Sequence, residues 1–204
     1  MKKSNVVSWL VVFSILSGCY PIKKLNYFQV EPYAKPFLHD IKIPLNIVLL
    51  EDVKDNLLVE GDGAKTLNVT DFRRSFGESL QITLEKNFDV VNLLDSQPET
   101  GLSLVVYRVR PFWRLNSRSS STIGAAGIVT SHDIPLYSVG FQFETSLFLD
   151  NVKLENADQT VYSDEQMTYV KQAHTAFKSG LIKTCETINR EIFKDEVLVK
   201  LNNH

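Results

Sequence analysis

Apolar and polar residues alternate in two stretches of the chain. Ile41, Ile43, Leu45, Ile47 and Leu49 are separated by Lys42, Pro44, Asn46 and Val48, the period of a strand with one face in a core. Pro44 places that strand at a sheet edge or Pro44 itself at the strand's start, because proline donates no ladder hydrogen bond. Tyr137, Val139, Phe141, Phe143, Leu147 and Leu149 alternate with Ser138, Gly140, Gln142, Glu144, Ser146 and Asp150, which predicts an antiparallel strand with one wet face. Leu102 to Trp113 is apolar on both phases at first, as suits a central strand. Phe88 to Leu94 reads as a short buried strand, and Glu155-Asn156-Ala157-Asp158 as a hairpin turn returning through Thr160 to Tyr162.

Two stretches carry the helical period instead. Phe72, Phe76, Leu80 and Leu84 recur every four residues with Ser75, Ser79 and Thr83 beside them, after N-cap candidates in Asn68 to Asp71. Phe177, Leu181, Thr184, Ile188 and Ile192 form a second such face, flanked by Ala173, Ala176 and Cys185, to about Phe193. The element order predicts an α+β two-layer sandwich: a mostly antiparallel sheet of four to five strands with two amphipathic helices on one face. Pro21 to Asp40 shows no period that would bury a face and reads as an extended spacer, with Tyr27 to Val30 as a candidate edge strand. Asn116 to Asp133 is the longest unpatterned stretch inside the domain and reads as a loop, with a serine-rich tract leading into Gly124-Ala-Ala-Gly127.

Residues 1–18 follow a different pattern. Lys2 and Lys3 precede an apolar run from Val6 to Leu16 interrupted only by Ser8 and Ser14. A spanning helix needs about 20 apolar residues, so the run is a signal peptide and no later stretch predicts a transmembrane helix. It ends in Leu16-Ser17-Gly18-Cys19, which resembles the lipobox of bacterial lipoproteins. The resemblance implies cleavage before Cys19, a thioether-linked diacylglycerol on its sulfur and acylation, palmitate included, of the new amino group. Two or three acyl chains exceed what stable membrane anchoring requires. A plain secretory signal with a chance cysteine, or an N-terminal core helix, is the alternative. Tyr20, rather than the Asp that resembles an inner-membrane retention signal, would follow the lipidated residue, so the expected location is the periplasmic face of the outer membrane. The organisation is then residues 1–18 as signal peptide, 19–40 as lipidated cysteine and tether, and 41–204 as one periplasmic domain.

Composition narrows the function classes. The 204 residues are 44% apolar and 23% charged, enough for one core without a metal or disulfide framework. The formal charge is −2; loss of Lys2 and Lys3 leaves 20 basic against 24 acidic residues, a charge of −4, which excludes a generally basic nucleic-acid binder. With Cys19 acylated, Cys185 has no partner in the chain and is expected to be a buried helix residue.

No catalytic motif stands out. The histidines at 39, 132, 174 and 204 lie far apart, no zinc-ligand spacing occurs, and Gly61-Asp-Gly63 is a turn without a phosphate motif, so no cofactor or metal is implied. His132-Asp133 could serve as a general base and its orienter in the loop. Arg108, Arg110, Arg114 and Arg118 are the notable charge feature. Even-numbered residues of a strand share a face, so the first three would project together around Phe112, with Arg118 following into the loop. Guanidinium forks suit phosphate and carboxylate, which makes these four candidate ligands for an anionic lipid, glycan or protein partner. A solvated face paired with Glu144 or its neighbours is the open alternative.

With the lipobox, Asn26-Tyr27-Phe28-Gln29-Val30, the helix Phe72-Arg-Arg-Ser-Phe-Gly-Glu-Ser-Leu80, the strand Phe88-Asp-Val-Val91 and a closing helix, the mature chain resembles small envelope lipoproteins. These include auxiliary lipoproteins of lipid-trafficking ABC transporters, the lipopolysaccharide-assembly lipoprotein and activators of penicillin-binding proteins. The resemblance implies a non-enzymatic adaptor of a Gram-negative envelope assembly or lipid-transport system, bound to the membrane by its lipid and to a larger protein machine by its α+β domain. The rival class is a lipid-anchored periplasmic hydrolase whose site is dispersed in sequence.

Overall fold

In the computed structural model the described residues are 23–33, 36–37, 41–60, 66–123, 129–164, 166–167 and 172–203. The expected signal peptide, Cys19 and Tyr20 lie outside them, as does the turn expected at Gly61-Asp-Gly63. The elements in chain order are β1 (Lys23–Leu25), β2 (Leu45–Leu49), β3 (Leu57–Val59), β4 (Leu67–Val69), α1 (Phe72–Leu84), β5 (Val91–Leu94) and β6 (Leu102–Ile123). Then follow β7 (Val129–Leu149), β8 (Val152–Tyr162), β9 (Gln166–Met167), α2 (Gln172–Ile192) and α3 (Asp195–Asn202). The fold is an α+β sandwich: the main sheet runs β5-β2-β6-β7-β8, with β9 also on β7, and a smaller sheet runs β1-β4-β3.

β6 pairs antiparallel with β7, and β7 with both β8 and β9. β2 pairs parallel with β5 and with β6. It therefore lies inside the sheet, and Pro44 stands just before it, where no ladder bond is demanded of its nitrogen. The strand in the Phe88–Leu94 stretch is the sheet's edge rather than a buried strand: Phe88 and Val91 are buried, whereas Val90 and Leu93 are exposed.

Both predicted helices form and share one core with the sheet. Phe177 of α2 stands 5.0 Å from Phe141 of β7, 6.0 Å from Phe72 of α1 and 5.8 Å from Phe28, a cluster of edge-on ring contacts at the centre of the layer. Cys185 is fully buried in α2, and burial pushes its thiol pKa well up, so it is inert as a nucleophile. A third helix, α3, closes the chain by burying Val197, Leu198 and Leu201.

The N-terminal segment is not a free spacer. Leu25, Phe28, Val30 and Pro32 are buried, and residues 27–30 form no strand. The Phe28 N–H donates to Ser75 Oγ and the Val30 N–H to Ser79 Oγ, each at 3.2 Å. Two residues of extended chain advance about 6.6 Å and four residues of helix about 6.0 Å, so a serine every fourth position of α1 keeps step with every second amide of the strap. Apolar residues at 25, 28 and 30 are too few to display a period, which is why the sequence reads as a spacer.

Three further expectations are corrected. Asn116 to Asp133 is not a loop, because β6 and β7 continue through it as a paired ribbon as far as Ile123 and Val129. Residues 124–128 lie outside the described residues. Glu155 to Asp158 is not a turn; β8 runs straight through, and the reversal occurs at Asp150-Asn151, both with positive φ (49° and 64°). Paired left-handed residues make a two-residue hairpin turn, and Asp and Asn tolerate that region best after glycine. Nor is the outer face of β7 uniformly wet: Ser138 and Ser146 are buried there, short side chains lying below longer neighbours.

Candidate anion-binding face of the sheet

A single irregularity decides where the arginines point. Val106 pairs with Thr145 and Arg108 with Glu144, so Tyr107 is an extra residue in β6. Such a bulge shifts the alternation by one. Before it Leu102, Leu104 and Val106 face the helices; after it Val109 and Trp113 do. Without the extra residue Arg108 and Arg110 would continue the core-facing row. With it, Arg108, Arg110, Phe112 and Arg114 stand on the face away from the helices, grouped as the spacing predicts.

Their surroundings differ. Arg108 pairs with acidic neighbours on two strands, 3.3 Å from Glu144 of β7 and 3.4 Å from Asp158 of β8, and its side chain is 27% exposed. It is committed to holding three strands together, which is the paired-face alternative realised at one position. Arg110 and Arg114 are exposed and make no ion pair among the described residues. Arg110 lies opposite Gln142, which lies opposite Thr160. Arg114 lies opposite Ser138, and its guanidinium sits 4.9 Å over the Tyr162 ring. That stacking leaves the planar edge of the fork open to an acceptor.

Phe112 fills the gap between the two free arginines. It lies opposite Gly140, where even a methyl group would come within 2.4 Å of its ring, and its ring meets Tyr162 edge-on at 6.0 Å. The result is an aromatic floor of Phe112 and Tyr162 flanked by two unneutralised guanidinium groups. Tyr162 and Asp158 escape sequence reasoning because a turn at 155–158 would carry them away from this face; the Asp150-Asn151 pair is the signal that places them on it.

Arg118 continues along β6 with its backbone opposite Ile134, in the paired ribbon rather than a loop. His132 and Asp133 are consecutive positions of β7, in the paired ribbon and not in a loop. Asp133 accepts a 2.8 Å hydrogen bond from Ser119 across the ribbon, and the His132 side chain lies outside the described residues. Among the described residues no three His, Cys, Asp or Glu side chains converge in a metal-binding arrangement, and no helix is long and apolar enough to cross a membrane.

No protein-family model and no curated protein matches the chain. Solved structures do. A Xanthomonas campestris protein of the DUF330 family superposes with a TM-score of 0.50 over 82% of this chain and 92% of its own, at 11% identity. The two share a fold. Weaker likenesses are to a minor lipoprotein of Acinetobacter baumannii (TM-score 0.39, 10% identity, covering 76% of this chain and 92% of that one) and a neuraminyllactose-binding hemagglutinin homologue of Helicobacter pylori (0.45, 12%, 85% and 97%).

Proposed function

We propose that this chain is a lipid-anchored adaptor or binding protein of a Gram-negative envelope assembly, held through Cys19 on the periplasmic face of the outer membrane. Its outer sheet face engages an anionic group of its partner through Arg110 and Arg114. The lipobox supports the location. The observation that carries the binding role is the contrast along β6: Arg108 is neutralised by Glu144 and Asp158, while Arg110 and Arg114 flank an aromatic floor and make no ion pair among the described residues. An unpaired fork held over an aromatic ring is pre-organised to meet a carboxylate or phosphate with two parallel hydrogen bonds.

The test is site-specific photo-crosslinking in living cells from position 142, which lies between the Arg110 and Thr160 positions on this face. A cross-linker there captures a partner in the wild-type background and loses it in the Arg110→Gln/Arg114→Gln background, with the thermal melt unchanged. Hydrogen bonds to charged groups contribute about 1.5–3 kcal/mol each, so losing both forks weakens binding by well over tenfold. Undiminished capture in the double variant overturns the assignment of the face.

A further inference from the structure

The two edges of the main sheet are finished differently. At the β5 edge the Leu45 N–H donates to the Val90 carbonyl, so Val91 turns its own carbonyl outward, and Gln81 Nε2 of α1 caps it at 2.9 Å. At the other edge β8 pairs only with β7 among the described residues. The Ser163 N–H donates to the Val139 carbonyl, one step beyond the opposed pair Gly140 and Tyr162, and this fixes the phase of the ladder. Opposed residues of an antiparallel pair alternate between exchanging both backbone bonds and exchanging none. Asn156, Asp158, Thr160 and Tyr162 are therefore the positions that turn their N–H and C=O groups away from β7. All four are exposed, and the amide of Asn156 is met by its neighbour Glu155 at 3.1 Å.

Exposed edges are normally blunted by lysine, proline or a bulge. β8 has Lys153 and an unpaired Leu154, but both precede the open run. From Asn156 to Tyr162 there is no proline and no basic residue, and the one charge, Asp158, is met by Arg108 of the same copy.

We infer that this edge is covered by a second copy of the chain, joined β8 to β8 in antiparallel sense about a two-fold axis through Gln159. A two-fold contact must be self-complementary, and only this centre opposes all four open residues to one another: Asn156 to the partner's Tyr162 and Asp158 to the partner's Thr160, each twice. A centre at Asp158 sets that carboxylate against its own copy, which destabilises a sheet, and sets Tyr162 against the bulged Leu154. A centre at Thr160 sets Asn156 against Asp164, beyond the end of β8. Charge agrees with the centre at Gln159. The row Arg110, Gln142, Thr160 of one copy runs on into the partner's Asp158 and the partner's Glu144, so a cationic row meets an acid-rich one. On the helix side Val161 meets the partner's Ala157. The pairing makes the two sheets continuous, with both outer faces on one side and the two Arg110 and Arg114 patches presented together. The dimer does not depend on what those patches bind.

The experiment uses the full chain purified in detergent, with Asp158→Cys, Gln159→Cys, Thr160→Cys and Val161→Cys made singly and oxidised with copper phenanthroline. The two copies of position 159 form a directly opposed non-bonded pair, about 4.5 Å apart at Cα, within disulfide reach. Copies of position 161 are offset by four residues, about 13 Å, and those of 158 and 160 by two, so none of these can be bridged without backbone movement. Gln159→Cys should therefore convert to a disulfide-linked dimer while the other three run as monomers on denaturing gels. The wild-type chain controls for Cys19 and for the buried Cys185. Thr160→Pro removes an outward N–H that the β7 ladder does not use, a place where an edge strand accepts proline. It should halve the mass seen in sedimentation and keep the wild-type melt; should it unfold, the cysteine series decides alone. A monomeric wild-type chain, no link at position 159, preferential linking at 158, 160 or 161, or a folded Thr160→Pro chain that stays dimeric each overturns the inference.

Discussion

Gly180 of α2 rests against the ring of Phe141 in β7: a Cβ at that position would lie 2.6 Å from Phe141 Cε2 and 3.4 Å from the Val139 carbonyl oxygen. Glycine inside a helix costs about 1 kcal/mol relative to alanine, so its presence marks a place where the helix must lie close on the sheet. Gly180→Ala should therefore destabilise the fold despite the gain in helix propensity, by about 1–3 kcal/mol as overpacking forces helix and strand apart. Chemical denaturation checks this; a variant more stable than wild type would mean that the close approach is not needed.

Ser79 carries both sides of the strap contact. Its hydroxyl donates to the Ser75 carbonyl at 2.6 Å and accepts the Val30 N–H at 3.2 Å. Ser79→Ala leaves a buried amide unpaired, which costs about 1–3 kcal/mol. Hydrogen exchange should show Val30 losing protection while the amides of β6 and β7 keep theirs, because the strap opens before the sheet does.

Acid should loosen the same strap. Glu78 accepts hydrogen bonds from the Tyr27 hydroxyl and from Arg74, at 2.8 Å for the latter, and these hold its carboxyl below the ordinary value of 4.5. A carboxylate with a lowered folded pKa contributes stability that is complete above its unfolded value and disappears as pH falls through the folded one. Wild-type melting temperature should drop over this acid window, and Glu78→Gln should flatten part of that drop while lowering stability near neutrality. Parallel slopes for the two proteins below pH about 5 would show that the carboxyl's partners do not matter to the fold.

Legibility followed from how much periodic sequence each element had. Phe72 to Leu84 and Phe177 to Ile192 spell helices because four or five apolar residues repeat at one spacing. Tyr137 to Leu149 is equally plain as a strand. The Arg108, Arg110 and Arg114 row was readable from parity alone, yet the reason it faces outward is the Tyr107 bulge, one residue that no alternation announces. The ribbon was hidden because Asn116 to Asp133 carries no apolar period, so it reads as a loop although β6 and β7 pair through it. Strap residues Phe28 and Val30 depend on serines 47 and 49 positions away, a relationship no local window contains.

The proposed adaptor role turns on Cys19, because the proposed lipid anchor is what would hold the domain in the envelope. Its most direct measurement is the intact mass of the protein purified from the membranes of Gram-negative cells, beside that of Cys19→Ser. The wild-type chain should begin at Cys19 and carry the added mass of a diacylglycerol and an N-linked acyl chain, while Cys19→Ser should retain residues 1–18 without lipid. A wild-type chain that begins elsewhere, or begins at Cys19 without lipid, would contradict the account.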